Sequence, residues 1–320
     1  MDLSIIIVNW NSAGYLRKCI ASILAETQEL QYEVVVIDAG SYDGCDQMIR
    51  EHYPQVRFIQ NPSNPGFARA NNKAFKASTG NCLLFLNPDT ELVGPAVNVL
   101  YGRWQALPRA GIVGCRLLNT DRTLQTSCVQ SFPTIANQVL DSEFLRRHFP
   151  LSQLWGTAAL FAEGAEAYKV DVISGACMLV SRSLFESVGC FTEDYFMYSE
   201  DVDLCYKSAR HGYQNYYIPS ATIVHHGGSS SVKSGINFFS PVMMRESRWR
   251  FFTKTRGRFY ALGYRLGMAL SALGRFLLLG LGAILKVAGQ GRTSIRPSFN
   301  KWWAILRWSL GLENWLKKYS

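Results

Sequence analysis

Leu3-Ser4-Ile5-Ile6-Ile7-Val8-Asn9-Trp10-Asn11-Ser12 opens the chain with a nearly unbroken apolar run that ends in a polar cluster. A short run rich in β-branched residues and bounded by Asn and Ser predicts a buried strand. Similar runs at 34–37, 56–59 and 83–86 predict further strands, and residues 12–27, 44–52, 66–78 and 95–107 predict the helices that alternate with them. Such alternation specifies an α/β fold, a Rossmann-like, mostly parallel sheet with helices on both faces. Sheets of this kind bind ligands at the carboxyl ends of their strands, so the residues just after each run are the candidates for chemistry.

Those positions are polar. Asn9 and Asn11 follow the first run, and Asn11 or Ser12 is placed to cap the next helix. Asp38 follows the second run. Its carboxylate suits the ring N–H of a uracil or thymine or a ribose hydroxyl, and equally suits an Asx turn; spacing alone leaves both open. Asn87-Pro88-Asp89-Thr90-Glu91 follows the fourth. Asn87 and Asp89, with Glu91 nearby, supply hard oxygen ligands for Mg²⁺ or Mn²⁺ bridging a diphosphate, and the same residue types also make ordinary turns.

Beyond residue 110 the periodicity weakens, and Pro133 and Pro150 bracket a stretch that reads as a surface excursion. Order returns as a strand at 170–181 interrupted by Gly175, a capped helix at 199–211 closed by Gly212, and a strand at 213–218. Glu200 and Asp201 open that helix beside an aromatic run, with Asp203 close by. The macrodipole favours acids there in any case, while a carboxylate in this setting also fits a general base for an acceptor hydroxyl. His225-His226 follows the strand-like 221–224. Imidazole would complete a metal site begun at Asp89 and favour Mn²⁺, although a histidine pair is commonly structural.

Charge is unevenly distributed. The formal net charge is +9, yet residues 241–320 hold 15 Lys and Arg against 2 Asp and Glu, so residues 1–240 are slightly acidic and the tail is strongly basic. With 48% hydrophobic and 18% charged residues, wholesale disorder is excluded. The eight cysteines show no metal-ligand spacing and read as reduced, buried thiols. Met1-Asp2-Leu3-Ser4 lacks a basic signal region, which predicts a cytoplasmic protein.

Taken in order, the stretches 6–11, 36–38, 64–72, 86–90, 198–203 and 224–228 resemble the family-2 glycosyltransferases, nearest to the bacterial rhamnosyltransferase-like branch. The likeness spans roughly residues 3–255. It implies a GT-A fold, an inverting mechanism, a divalent cation (Mn²⁺ or Mg²⁺) and a nucleotide-diphosphate sugar donor. On this resemblance Asp38 holds the pyrimidine and Asp89 and His225 bind the metal, with His226 the weaker ligand candidate. Asp201, flanked by Glu200, is the catalytic base, and Asn9, Asn11, Asn71, Asn72 and Asn87 lie on the donor side. One departure is Ala39-Gly40-Ser41, where the family usually places an Asn after the Asp.

The tail interleaves Arg245, Arg248, Arg250, Lys254, Arg256 and Arg258 with Trp249, Phe251, Phe252, Phe259 and Tyr260, a composition that suits an anionic membrane surface. Residues 262–285 are long enough to span a bilayer, but Arg265 and Arg275 favour a helix lying in the interface. Within 299–318, Phe299, Trp302, Trp303, Leu306 and Leu310 form one apolar stripe. The expected organisation is therefore a catalytic domain at 1–240, with a donor half at about 1–115 and an acceptor half at about 165–240, and a helical, membrane-associated tail at 241–320. The expected partners are a lipid-linked, polyprenyl-diphosphate saccharide and the cytoplasmic face of the inner membrane, with no nucleic acid. A nucleotidyltransferase and a non-catalytic nucleotide-sugar-binding scaffold are the alternatives.

Overall fold

The computed structural model describes residues 1–162, 166–227, 239–287 and 296–313. The strands are β1 (Leu3–Asn9), β2 (Tyr32–Asp38), β3 (Arg57–Gln60), β4 (Cys82–Leu86), β5 (Thr90–Val93), β6 (Ala110–Leu118), β7 (Val129–Gln130), β8 (Tyr168–Val170), β9 (Val172–Ile173), β10 (Cys177–Ser181) and β11 (Gln214–His225). The main sheet runs β3-β2-β1-β4-β10-β6-β11-β5, with β8 paired to β11, and β7 and β9 form a separate ribbon.

The β3-β2-β1-β4 half is parallel, as the alternation predicts. Its strands are covered on both faces: Ile5, Ile6 and Ile7 are all fully buried, which is why the sequence shows a continuous apolar run rather than alternation. The helices Ala13–Glu26, Cys45–His52 and Phe67–Lys76 make the crossovers. The other half is mixed, because β10 runs antiparallel to both β4 and β6 while β11 runs parallel to β6.

Several expectations are revised. The expected strand at 170–181 is divided among β8, β9 and β10, since Ser174-Gly175-Ala176 turns the chain before it pairs with β4. The expected strand at 213–218 extends through β11 to His225, with a register shift between Ile218 and Thr222 where Pro219 interrupts the ladder. The unassigned region after residue 110 contains β6, an interior strand. Ser12 occupies the N-cap position of the first helix but does not cap it. Its hydroxyl donates to the Trp10 carbonyl (3.0 Å), and the helix N–H of Ala13 is satisfied by Asp43 Oδ2 at 2.8 Å.

The chain divides into two compact units: Met1–Phe132, Phe149–Phe196 and Glu200–Ser230; and Pro133–His148, Met197–Ser199 and Ser231–Ser320. The second unit is helical, built on Ile135–Val139, Glu143–His148, Phe239–Arg256, Arg258–Val287 and Arg296–Ser309. Residues 133–148 thus cluster with the tail rather than with the sheet. Of the eight cysteines, seven are buried and Cys190 is half-buried, and all are free thiols.

Candidate functional site

Register decides which side chains meet. Asn9 lies opposite Asp38, and Asp38 opposite Gln60, so the ends of β1, β2 and β3 form one row. Leu86 ends β4 beside Ile7 and opposite Cys177, so Asn87 and the Gly175-Ala176 turn share that edge. At the far side Thr90 pairs with His225, bringing the end of β11 to the start of β5.

Asp38 is fully buried, and both its oxygens are engaged by the protein. Oδ1 accepts from Asn9 Nδ2 at 2.8 Å and also from the Ser41 hydroxyl; Oδ2 accepts from Ser41 N (2.9 Å), Gln60 Nε2 (2.7 Å) and Tyr42 N (3.3 Å). Burial pushes the Asp38 carboxyl up, but the hydrogen bonds from Ser41, Gln60 and Asn9 outweigh it and hold the group below the usual carboxylate range. Ser41 bonds back to Asp38 through both its backbone N–H and its hydroxyl, so the turn is held without an Asn. Gly40 stands at φ +74° where a Cβ would lie 2.6 Å from Ser63 Cα, so the substituted turn depends on glycine. Asp38, Asp43 and Cys45 offer ligand atoms within 4.8 Å of one another. Their oxygens, however, already accept from Asn9, Ser41, Gln60 and Ala13, and burial followed by Asp38 and Asp43 pushes the Cys45 thiol far up, so this cluster is a hydrogen-bonded turn.

Asp89 and His225 form the second centre. Asp89 is buried, and its Oδ1 lies 3.3 Å from His225 Nε2. The Asn87–Thr90 turn that presents it is pinned on several sides: Asn87 N donates to Ala176 O (3.0 Å), Thr90 Oγ1 to Asn87 O (2.8 Å), and His226 N to Asp89 O (2.9 Å). On the other ring nitrogen, Gln125 Oε1 lies 2.8 Å from His225 Nδ1. A side-chain carbonyl accepts only, so Nδ1 donates the hydrogen of that bond, and Nε2 is the ring nitrogen turned to Asp89. Asn87 Nδ2 lies 3.3 Å from the same Nε2. Adjacent ligands on an octahedral ion with bonds of about 2.1 Å stand roughly 3 Å apart, so Asp89 Oδ1 and His225 Nε2 fit two neighbouring ligands of one Mg²⁺ or Mn²⁺.

His226 takes a different task. Its Nε2 lies 2.9 Å from Glu91 Oε1 and its Nδ1 3.0 Å from Thr120 Oγ1, so both ring nitrogens are occupied. Glu91, pairing with His226 and Lys18, is drawn off the Asp89 centre.

Asp201 joins the same edge through the turn before β10: its Oδ2 accepts from Gly175 N at 3.0 Å, one residue from the Ala176 carbonyl that receives Asn87 N. Oδ1 accepts from Val202 N at 2.8 Å, and the group is half-buried, so it is oriented and still accessible. Tyr198 and Ser199, just before the helix, take left-handed φ of 69° and 70°, a conformation costing ~1–3 kcal/mol per residue. Asp203 is structural, accepting from Thr192 Oγ1 (2.5 Å) and Tyr195 OH (3.3 Å) beneath the helix.

Of the remaining asparagines, Asn11 sits at φ +52° in the turn after β1, and Asn71 donates to its own helix at Phe67 O (3.0 Å). Asn72 is occupied at both ends: Oδ1 accepts from Phe191 N (3.1 Å) and Nδ2 donates to Phe191 O (2.9 Å) and Glu193 Oε1 (3.1 Å). Its side chain ties the helix to the 191–193 turn rather than facing a ligand. Gln60 and Gln125 escaped sequence reasoning; the signal available for Gln60 was its place after the 56–59 run, and Gln125 had none.

Two family models match, "Glycosyl transferase family 2" over residues 4–189 and "Glycosyl transferase family group 2" over residues 133–312. The N-acetylglucosaminyl-diphospho-decaprenol L-rhamnosyltransferase of Mycobacterium tuberculosis is 30% identical over 246 residues, covering 72% of this chain and 77% of that protein. The rhamnosyltransferase WbbL of Escherichia coli is 24% identical over 233 residues, covering 69% and 82%. Among solved structures, the mannosyltransferase PcManGT of Pyrobaculum calidifontis, in complex with GDP-Man and Mn²⁺, superposes with a TM-score of 0.55 at 18% identity, covering 97% of this chain and 86% of that one.

Proposed function

The chain belongs to glycosyltransferase family 2 and has the GT-A fold, and from that premise we propose that it transfers a sugar, L-rhamnose foremost, from a nucleotide-diphosphate donor to a hydroxyl of a lipid-linked saccharide, inverting the anomeric centre and depending on a divalent cation. With a glycosyltransferase established, the nucleotidyltransferase and the non-catalytic scaffold fall away. The choice of sugar and acceptor is supported by the names of its relatives, one an N-acetylglucosaminyl-diphospho-decaprenol rhamnosyltransferase and another a rhamnosyltransferase.

The observation that carries the metal dependence is the 3.3 Å approach of His225 Nε2 to Asp89 Oδ1, with Gln125 holding the ring through Nδ1 so that Nε2 is the nitrogen turned to the carboxylate. A bound Mn²⁺ or Mg²⁺ supplies charge neutralisation for the departing diphosphate. Asp201 accepts the proton of the acceptor hydroxyl, whose oxygen forms the new bond to the anomeric carbon as the bond to the diphosphate oxygen breaks. One displacement inverts the configuration. Glu200 flanks the base, while Asn9 and Asp38 build the row of strand ends on which the nucleotide lies, with Asn11, Asn71 and Asn87 on its donor side. Residues 1–240 form the catalytic domain in this scheme, the donor half at about 1–115 and the acceptor half at about 165–240.

The tail binds the cytoplasmic face of the inner membrane. The helix Arg258–Val287 buries Ala261, Tyr264, Met268 and Ala272 and exposes Phe259, Leu262, Leu266, Leu270, Leu273 and Leu277, so it is apolar on two opposite sides. It contains a 23-residue stretch, Arg258–Gly280, long and apolar enough to cross a bilayer. Its two interior arginines lie against indole rings, Arg265 on Trp249 and Trp308 and Arg275 on Trp302, which leaves the outward stripe apolar and favours an interfacial helix.

A thermal-shift series tests the donor and the metal together. Thymidine-diphosphate rhamnose with Mn²⁺ is expected to stabilise the chain by ~2.7 kcal/mol at a hundredfold excess over Kd. Stabilisation by a uridine-diphosphate hexose instead overturns the sugar, and stabilisation indifferent to chelation overturns the metal.

A further inference from the structure

Trp302 is ringed by cations. Arg275 Cζ lies 4.9 Å from the centre of its indole, Arg245 Cζ 5.6 Å and Lys301 Nζ 5.9 Å. An aromatic face attracts each cation by ~0.5–2 kcal/mol but neutralises none of them. Protein carbonyls offer a little more: Arg245 Nη1 donates to Pro241 O (2.7 Å) and Arg275 Nη2 to Asp141 O (3.2 Å). Arg245 Nε is buried with no acceptor. Among the described residues no carboxylate pairs with any of the three, and the nearby Asp141 carboxylate is taken by Arg146 Nε at 2.7 Å. Burial, then Arg245 and Arg275, hold the Lys301 ammonium below its usual value, and the nearby Asp141 carboxylate offsets only part of this. Arg275 and Lys301 are partly exposed, and Arg245 lies deeper with its Nε buried.

We propose that Arg245, Arg275 and Lys301 around Trp302 form a binding site for a phosphate or diphosphate group, that of the membrane-borne acceptor lipid. Three cations call for a multiply charged anion. Two guanidinium forks and one ammonium match tetrahedral phosphate oxygens better than a single carboxylate. A lipid is favoured over a nucleic acid because the helix that carries Arg275 also exposes Leu266, Leu270, Leu273 and Leu277, an apolar surface for a hydrocarbon tail. The lipid identity rests on the acceptor proposed above; the anion site does not.

The test compares the full chain with K301Q and R275Q/K301Q. It measures affinity for inorganic pyrophosphate and for phosphatidylcholine vesicles carrying either polyprenyl diphosphate or charge-matched phosphatidylglycerol. Loss of one charge-assisted contact predicts about tenfold weaker binding of pyrophosphate and of polyprenyl-diphosphate vesicles, with K301R restoring it. K301Q alone decides if the double variant does not fold. Unchanged pyrophosphate affinity in K301Q overturns the site, as does an equal loss on both vesicle types or a preference of the wild type for single-stranded RNA. Pyrophosphate binding that depends on Lys301 while wild type fails to glycosylate a polyprenyl-diphosphate saccharide would sustain the site and overturn the acceptor.

Discussion

Asp201 is held by two backbone N–H groups and left half-exposed, which is the state a general base requires before the acceptor arrives. Asp201→Asn is expected to lower kcat by roughly 10²–10⁴ with little change in donor affinity, because general base catalysis contributes about that much. Near-normal single-turnover rates in that variant would remove Asp201 from the role. Gln125→Leu is expected to weaken Mn²⁺ affinity by about 10–100-fold, the usual effect of deleting the partner of a ligating histidine, and titration of Mn²⁺ by electron paramagnetic resonance reads it directly. Asp38 titrates with the fold. Its folded carboxyl lies below the unfolded value of about 3.9, so its contribution to stability is complete above that value and is lost as pH falls through the lower folded one. Asp38→Asn is therefore expected to be destabilised by ~1.5–3 kcal/mol at pH 7, with the gap to wild type closing in acid; urea melts at pH 7 and pH 3 with an equal gap would refute this.

Strands and turns were unevenly legible. The parallel half of the sheet could be read because each of its strands is locally complete, as Ile5-Ile6-Ile7 is, and is separated from the next by an amphipathic helix. β6 was not, since Ala110-Gly111-Ile112-Val113-Gly114-Cys115 is broken by glycines that the packing demands: a Cβ at Gly111 would lie 2.2 Å from Ser208 Oγ and one at Gly114 2.3 Å from Ile173 Cγ2. The antiparallel entry of β10 was illegible because nothing local to Val170–Ser181 specifies its pairing with β4. The site followed the same division. Asp38, Asp89, Asp201 and His225 stand at or beside element ends, where sequence pattern locates them, whereas the roles of Gln125 and Asn72 come from contacts 100 and 119 residues away. Gly66 belongs to this scale too. It stands at φ +87°, where a Cβ would meet Phe196 O at 2.5 Å, so Gly66→Ala is expected to cost more than about 1 kcal/mol, measurable as a lowered urea midpoint at unchanged m-value.

For the whole molecule, composition already separated a slightly acidic sheet unit from a basic helical one, and among the described residues the structure shows how the long helix carries Arg265 and Arg275 without breaking its outward apolar stripe. Indole rings take the guanidinium groups of Arg265 and Arg275, and Gly263 and Gly267 let Ile135 and Val139 of the preceding segment approach the long helix closely. That segment, residues 133–148, could not be assigned to the helical unit from sequence because its partners lie more than 100 residues on. If the exposed leucine stripe meets the membrane, Leu270→Asp combined with Leu277→Asp is expected to reduce partitioning to anionic vesicles at least tenfold, as loss of two buried leucines at ~1.5–3 kcal/mol each implies. Unaltered co-sedimentation would place the membrane contact elsewhere.

Calorimetric titration of Mn²⁺ and then of thymidine-diphosphate rhamnose into wild type, Asp89→Ala and His225→Ala tests the shared metal centre most directly. Metal-dependent catalysis at this edge predicts donor binding that requires Mn²⁺ in the wild type and is abolished in Asp89→Ala, with His225→Ala weakened by about tenfold or more. Mn²⁺ and donor affinities unchanged in both variants would contradict it.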